Sequence, residues 1–151
     1  MGNGEMKVLI FNLNEVKYAI DIGEVERILS YMDATPMPDT PNFVRGAINY
    51  EDAVLSIIDI AKKFNIATNY KRDESKIIVL RNEGKRFGVI VSCVNEVKDI
   101  QADTIEKTPL IATDSSSNYV KGLIKLDGGI VVLLNSDNII SNNEEDIIFG
   151  R

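Results

Sequence analysis

Residues 17–22 read KYAIDI, and residues 86–91 read RFGVIV. In both hexamers a basic residue, an aromatic residue, a small residue and an aliphatic residue follow one another. A valine comes at the same distance after each hexamer, at Val25 and Val94. A constant offset therefore relates two separate parts of the chain.

The repetition continues further along the sequence. Residues 43–48 read FVRGAI and are matched by YVKGLI at residues 119–124, and IID at residues 57–59 is matched by LLN at residues 133–135. The chain is thus a duplicated half-domain. Two copies of one small β-unit, each short of a full core, must bury apolar faces against each other and leave a seam between them.

Composition narrows the range of functions. The 151 residues suit one domain, and 17 basic against 23 acidic residues give a net charge of -6, which disfavours binding to nucleic acid. Histidine is absent, so the usual general base and the commonest metal ligand are missing. Neither the carboxylates nor Cys93 form a catalytic or metal-binding pattern, and we expect no cofactor, no metal and no enzymatic activity.

Location is also constrained. The sequence has no apolar run of the roughly 18 to 20 residues that cross a bilayer, and residues 1–6 lack a signal-peptide pattern. A single cysteine agrees with a reducing compartment. These features predict a cytoplasmic protein that does not insert into a membrane.

Many short strands with closely spaced turns favour small barrels over a parallel sheet. Hairpins are predicted over residues 7–20, 44–58, 76–91 and 119–135. Asp21 is predicted to cap a short helix over residues 22–29, in which the apolar residues have helical spacing.

The domain organisation follows from the repeat. One domain spans residues 1–151 and contains two pseudo-repeat lobes at about 7–70 and 75–140, with a flexible tail at 142–151.

The order of these segments resembles the CheW-like domain, the adaptor that couples bacterial chemoreceptors to the chemotaxis histidine kinase CheA. The resemblance covers almost the whole chain and rests on FNL at 11–13, YAIDI at 18–22, FVRGAIN at 43–49, IID at 57–59, FGVIV at 87–91, YVKGL at 119–123 and LLN at 133–135. It implies a mainly β fold of two intertwined, five-stranded SH3-like barrels with short helices and a hydrophobic groove between them.

The resemblance also implies a function. The chain would be a non-catalytic scaffold in chemotaxis signal transduction, with two partners: the regulatory domain of a CheA-type histidine kinase and the cytoplasmic tip of methyl-accepting chemoreceptors. It would be associated with receptor arrays at the inner face of the membrane.

By resemblance, the receptor-binding groove is formed by apolar residues of both copies: Leu9, Ile22, Val25, Ile28, Val94 and Val97. An amphipathic receptor helix needs such exposed apolar anchors along a seam. The alternative is that apolar residues with this spacing simply belong to the core.

A kinase-binding or interface-shaping surface is implied at Arg45, Gly46, Asn49, Glu51 and Arg27. The family pattern runs Asn-Leu-Arg-Gly where this chain has NYED at 49–52, and Arg27 stands where many members carry an acid. We hypothesise one acid–base pair with exchanged ends, Arg27 to Glu51; two independent solvated charges are the alternative. The backbone at Gly46 and at its counterpart Gly122 is predicted to be crowded or bent, with simple packing as the favoured alternative at Gly122.

Two other functions compete. The chain could be a CheW-like regulatory domain cut from a CheA-type kinase, against which the start at Met1 argues, or a small enzyme on a β-barrel, which the lack of histidine disfavours.

Overall fold

A computed structural model describes residues 4–82, 84–107 and 119–140. The segment 142–151, for which the sequence predicts a tail, lies outside the described residues. Within the described part, ten strands follow one another: β1 (Glu5–Leu13), β2 (Val16–Asp21), β3 (Val25–Ser30), β4 (Val44–Tyr50), β5 (Ala53–Asp59), β6 (Lys76–Asn82), β7 (Lys85–Val91), β8 (Cys93–Gln101), β9 (Val120–Leu126) and β10 (Gly129–Leu134). The short helix α1 (Ile60–Lys63) follows β5, and 3-10 turns form at Ile22–Glu24, Ala102–Thr104 and Ser136–Asn138.

The strands form two five-stranded sheets. One has the order β8-β1-β2-β10-β9 and the other β3-β6-β7-β5-β4. We call the first barrel A and the second barrel B. Replacing each strand by its counterpart in the other copy, β1 by β6 and so on, converts one order into the other. Each barrel therefore combines strands of both sequence copies, which confirms the intertwined SH3-like architecture. The division at about 7–70 and 75–140 describes the sequence repeat, and the barrels do not follow it.

Within the described residues, three apolar clusters form the core. Val8, Ile10 and their neighbours fill barrel A, and a cluster with Ile77 and Val79 fills barrel B. The largest cluster lies between the barrels and includes Leu9. Successive side chains of a strand point to opposite faces. On β1 and β6 one face packs inside a barrel and the other packs in the central cluster, so both faces are buried. Their continuous apolar runs follow from this.

Tight turns close the hairpins as the sequence predicts. Glu51 and Asp52, between β4 and β5, have φ values of 52° and 64°, and Asp127 and Gly128 in the second copy have 51° and 79°. Two successive residues with positive φ match the twist of paired strands. The consecutive strands β1–β2, β4–β5, β6–β7 and β9–β10 are paired antiparallel, which confirms the four predicted hairpins.

The helix predicted over residues 22–29 is wrong. Asp21 does cap a turn, since its Oδ1 accepts a hydrogen bond of 2.9 Å from the Gly23 backbone N–H, but the turn ends at Glu24 and β3 follows. A bulge in β3 lies between Val25 and Arg27. One extra residue in a strand places residues i and i+3 on the same face. The apolar residues of a bulged strand can therefore have the spacing that is typical of one face of a helix.

The backbone at Gly46 is crowded, as predicted. Its φ is 139°, and a Cβ there would lie 2.1 Å from the carbonyl oxygen of Thr35. The close approach lets Thr35 and Ala47 exchange two backbone hydrogen bonds of 2.9 Å, which fasten the connector before β4 to this strand. At Gly122 a Cβ would lie 2.6 Å from Ile105 Cγ2, so the second copy is crowded at the equivalent place.

Candidate functional groove and charged surface

The edge strands β3 and β8 carry matching apolar rows. Val25 and Ile28 of β3 pair with Leu80 and Ile78 of β6, whose side chains belong to the central cluster. Directly opposed residues on neighbouring strands point to the same face of a sheet. Val25 and Ile28 therefore lie on the face of barrel B that is turned toward barrel A.

The second copy repeats this arrangement. Val94 and Val97 of β8 pair with Phe11 and Leu9 of β1, which are also members of the central cluster. A bulge at Asn95 in β8 corresponds to the bulge at Glu26 in β3, so each pair of apolar residues shares a face. The seam between the barrels is thus flanked by two equivalent apolar rows.

Burial differs among the predicted groove residues. Ile28 is 39% exposed and Val97 is 48% exposed, whereas Ile22, Val25 and Val94 are partly buried against the central cluster. Leu9 is only 1% exposed. The expectation that Leu9 offers an exposed contact is therefore wrong: strand β1 is covered on both faces, and Leu9 supports the groove from below.

Charged residues of barrel B form a network on the face of β3 opposite to Val25 and Ile28. Arg27 lies 3.4 Å from Glu51, measured from Nη2 to Oε2, and Arg86 lies 3.5 Å from the other oxygen of Glu51. Both guanidinium groups also lie over the ring of Tyr50, at 5.9 and 5.3 Å from its centroid. The pairing distance that the exchange hypothesis requires is therefore met.

Glu26, the bulge residue of β3, anchors the network. Its Oε2 accepts hydrogen bonds of 2.7 Å from the Tyr50 hydroxyl and 3.0 Å from Arg86. These contacts hold the pKa of the Glu26 carboxyl below its ordinary value, with the Tyr50 hydrogen bond as the largest cause. The other oxygen, Oε1, is buried without a hydrogen-bond partner, and Arg81 lies 3.8 Å from it.

A second polar network supports Arg45. Its Nη1 lies 3.5 Å from Asp59, and its Nη2 donates a 3.2 Å hydrogen bond to the Tyr31 hydroxyl. Asp59 is 6% exposed and accepts a 2.6 Å hydrogen bond from Tyr70, as well as 3.1 Å from the backbone N–H of Lys62 in α1. Arg45 is thus occupied within the fold.

The two remaining residues of the predicted kinase-binding surface differ in exposure. Gly46 is buried in the crowded strand β4, whereas Asn49 is exposed on the same strand. Sequence reasoning missed the roles of Glu26, Tyr50 and Arg86, because nothing in the local pattern reveals that a bulge turns Glu26 toward β4 and β7.

The described part of the chain contains neither a grouping of metal ligands nor a membrane-spanning helix. Among residues 4–82, 84–107 and 119–140, no three His, Cys, Asp or Glu side chains are grouped so that they could hold a metal ion. None of the helices in these same ranges is long and apolar enough to cross a membrane.

Comparison with known proteins identifies this architecture. The protein-family model of the CheW-like domain matches residues 7–144. The chain belongs to the CheW-like family. This agrees with the resemblance inferred from its repeated segments.

Individual relatives of this CheW-like chain are of the same kind. A chemotaxis protein CheW from Klebsiella aerogenes is 30% identical over 141 residues, which cover 93% of this chain and 84% of the relative. A chemotaxis protein CheW from Thermotoga maritima is 31% identical over 136 residues, covering 90% and 88%. The crystal structure of the scaffolding protein TtCheW from Thermoanaerobacter tengcongensis superposes with a TM-score of 0.84 at 30% identity, covering 93% of this chain and 96% of that one. The chain therefore has a scaffold role in chemotaxis signalling.

Proposed function

We propose that this CheW-like chain is a non-catalytic adaptor that couples the cytoplasmic tip of a chemoreceptor to the regulatory domain of a CheA-type histidine kinase, in receptor arrays at the inner face of the membrane. The observation that carries the proposal is the pair of apolar rows on β3 and β8, which flank one seam on equivalent edges. A scaffold acts through such surfaces and needs no reacting group of its own.

The receptor tip occupies the seam in this proposal. An amphipathic helix would place its apolar side chains on Ile28 and Val97, while Val25, Val94 and Ile22 form the partly buried floor. Complete burial of an aliphatic side chain contributes about 1.5–3 kcal/mol. Since Ile28 and Val97 are already about half buried, each should contribute about 0.7–1.5 kcal/mol to receptor binding.

The charged residues would select the kinase. Arg27 and Glu51 are exposed at the edge of the network, where a partner can meet them. Complementary charge across an interface contributes more to the choice of partner than to the affinity. Arg45 is paired with Asp59, and the backbone requires a glycine at Gly46, so these two residues shape the surface from within. Exposed side chains that can contact a partner are those of Arg27, Glu51 and Asn49.

Calorimetric titration with a receptor fragment that contains the hairpin tip tests the groove. Val97→Ser should weaken binding about three- to tenfold, which corresponds to the 0.7–1.5 kcal/mol expected from half-burial. Val54→Ser is the matched control, because Val54 is exposed on β5, outside the seam. Equal binding by wild type and Val97→Ser would contradict the groove assignment.

A parallel titration with a CheA-type regulatory domain tests the charged surface. A kinase domain whose partner adaptor has the Asn-Leu-Arg-Gly pattern should bind the wild-type chain poorly. The double variant Arg27→Glu with Glu51→Arg should gain affinity for that domain while it retains receptor binding. This part of the proposal is wrong if the wild-type chain binds that kinase domain as tightly as an adaptor with the Asn-Leu-Arg-Gly pattern does.

A further inference from the structure

A surface cleft of about 370 Å³ opens at the end of barrel A, whereas the charged network belongs to barrel B. Ile10 and Val131 form its buried apolar floor, and Leu126 and the exposed Ile130 form one wall. Its remaining lining residues are Glu15, Val16, Lys17, Glu96, Asp127 and Gly129. The rim thus presents three carboxylates and a single ammonium group.

The carboxylates of this rim are not neutralised within the described part of the chain. Glu15, Glu96 and Asp127 are all exposed, and no described Lys or Arg side chain lies within 4.0 Å of them in an ion pair. An apolar floor with an unpaired acidic rim favours a long side chain that has an apolar stem and a cationic end.

The internal repeat shows what occupies the equivalent place in barrel B. Glu96 pairs with Ile10 across β8 and β1, as Arg27 pairs with Val79 across β3 and β6. Leu126 pairs with Gly129 across the β9–β10 hairpin, as Tyr50 pairs with Ala53 across the β4–β5 hairpin. The repeat therefore matches Glu96 with Arg27, Leu126 with Tyr50, Asp127 with Glu51, and Lys17 with Arg86.

In barrel B the chain fills this place with its own side chains. The Tyr50 ring lies below the guanidinium groups of Arg27 and Arg86, and both reach Glu51 within 3.5 Å. Barrel A also has an acid, Asp127, but it has Leu126 in place of the aromatic ring and an acid, Glu96, in place of the first arginine. The cleft in barrel A thus lies at the place where Tyr50 and the guanidinium groups of Arg27 and Arg86 pack together in barrel B.

We infer that the cleft of barrel A binds an arginine next to an aromatic residue on a loop of a partner protein. The guanidinium would pair with Asp127 and Glu96, and the aromatic ring would pack on Ile10; in barrel B, Tyr50 belongs to the same apolar cluster as Val79, the counterpart of Ile10. This site is separate from the receptor groove. Glu96 and Val97 are successive residues of β8 and point to opposite faces of the sheet, so both surfaces can be occupied together.

Nuclear magnetic resonance titration of the full chain with the blocked dipeptide N-acetyl-tyrosyl-arginine amide tests the inference. At low ionic strength the dipeptide should shift the amide signals of Lys17, Gly129 and Val131. N-acetyl-tyrosyl-glutamine amide, which lacks the charge, should produce much smaller shifts. The arginine-dependent shifts should weaken as salt is added, since the rim charges are exposed.

Two variants at one position sharpen the test. Glu96→Gln should weaken the arginine dipeptide about two- to fivefold, the effect of losing one exposed charge pair. Glu96→Arg should abolish its binding, because the new guanidinium can pair with Asp127 as Arg27 pairs with Glu51. Glu74→Gln is the matched control and should bind like the wild type, since Glu74 is an exposed acid in the connector between the copies.

The inference is overturned if both dipeptides shift the same amides equally, or if Glu96→Arg binds the arginine dipeptide as tightly as wild type. Retained folding of both variants is checked by the dispersion of the same spectra. Because receptor binding is measured separately on Val97→Ser, a failure here leaves the adaptor proposal standing, and the reverse also holds.

Discussion

Replacing Gly46 by alanine should cause one of the largest losses of stability that a single methyl group can produce in this chain. The φ of 139° is a conformation that L side chains rarely adopt, and forcing one into it costs about 1–3 kcal/mol. The new Cβ would also meet backbone atoms of Thr35 at 2.1 and 2.6 Å, so the two segments must separate. The two hydrogen bonds between Thr35 and Ala47 are then lost, at about 0.5–1.5 kcal/mol each.

Together these effects predict a decrease in the free energy of unfolding of about 2–6 kcal/mol. Gly84→Ala provides the control, because Gly84 has a φ of 81° but no heavy atom within 4 Å of the place that a methyl group would take. That variant should lose only about 1–2 kcal/mol, the cost of a left-handed conformation alone. Urea unfolding followed by far-ultraviolet circular dichroism measures both.

The comparison separates the two causes. If Gly46→Ala and Gly84→Ala lose the same stability within about 0.5 kcal/mol, the contact with Thr35 contributes nothing and the reasoning is refuted. If Gly46→Ala is much less stable, the connector before β4 is held by that contact.

Three further predictions concern the polar networks. A double-mutant cycle on Arg27→Ala and Glu51→Ala should give a coupling of about 0.2–1 kcal/mol in unfolding experiments, falling with salt, because both side chains are exposed. Tyr50→Phe should cost about 1.5–3 kcal/mol at neutral pH, the range for a hydrogen bond to a charged group. Because the folded-state pKa of Glu26 is lowered, its contribution is present above about pH 4.5 and is lost as the pH falls through the folded value, so the difference between Tyr50→Phe and wild type should shrink in acid urea titrations. Burial and the hydrogen bond to a carboxylate raise the pKa of Tyr70 above its usual value of 10, so wild type should lose stability as the pH rises above 10, and Tyr70→Phe should lack this component in the same measurement.

The hairpins were predictable because their signals are local. Alternating apolar residues and the turn residues at 51–52 and 127–128 act within a few positions, and the structure has a hairpin at each place. The cap at Asp21 is local in the same sense, and its side chain does accept a hydrogen bond from the backbone N–H of Gly23.

The helix prediction over residues 22–29 was wrong for a reason that the local sequence does not show. Val25 and Ile28 are three apart, which suits one face of a helix, but a bulge at Glu26 places them on one face of a strand. A bulge depends on the partner strand, β6, which lies about fifty residues away in the sequence. Local periodicity cannot distinguish the two cases.

The exchange of strands between the copies was equally beyond periodicity. The hairpin β1–β2 has the same pattern as β6–β7, so it could pair with strands of its own copy or of the other. Only the family resemblance predicted the intertwined arrangement. The burial of Leu9 follows from the same exchange, because Leu9 packs in the apolar cluster between the two barrels.

The pairing of β1 with β8 and of β6 with β3 has the connectivity that two identical five-stranded chains would acquire by trading hairpins with each other. One polypeptide thus has the geometry of a swapped homodimer, and the segment after α1 joins its two halves covalently. Once tethered, the two halves no longer had to remain identical. One barrel carries tyrosine and two arginines at a place where its twin has leucine, glutamate and lysine, an asymmetry that a dimer of equal chains cannot encode.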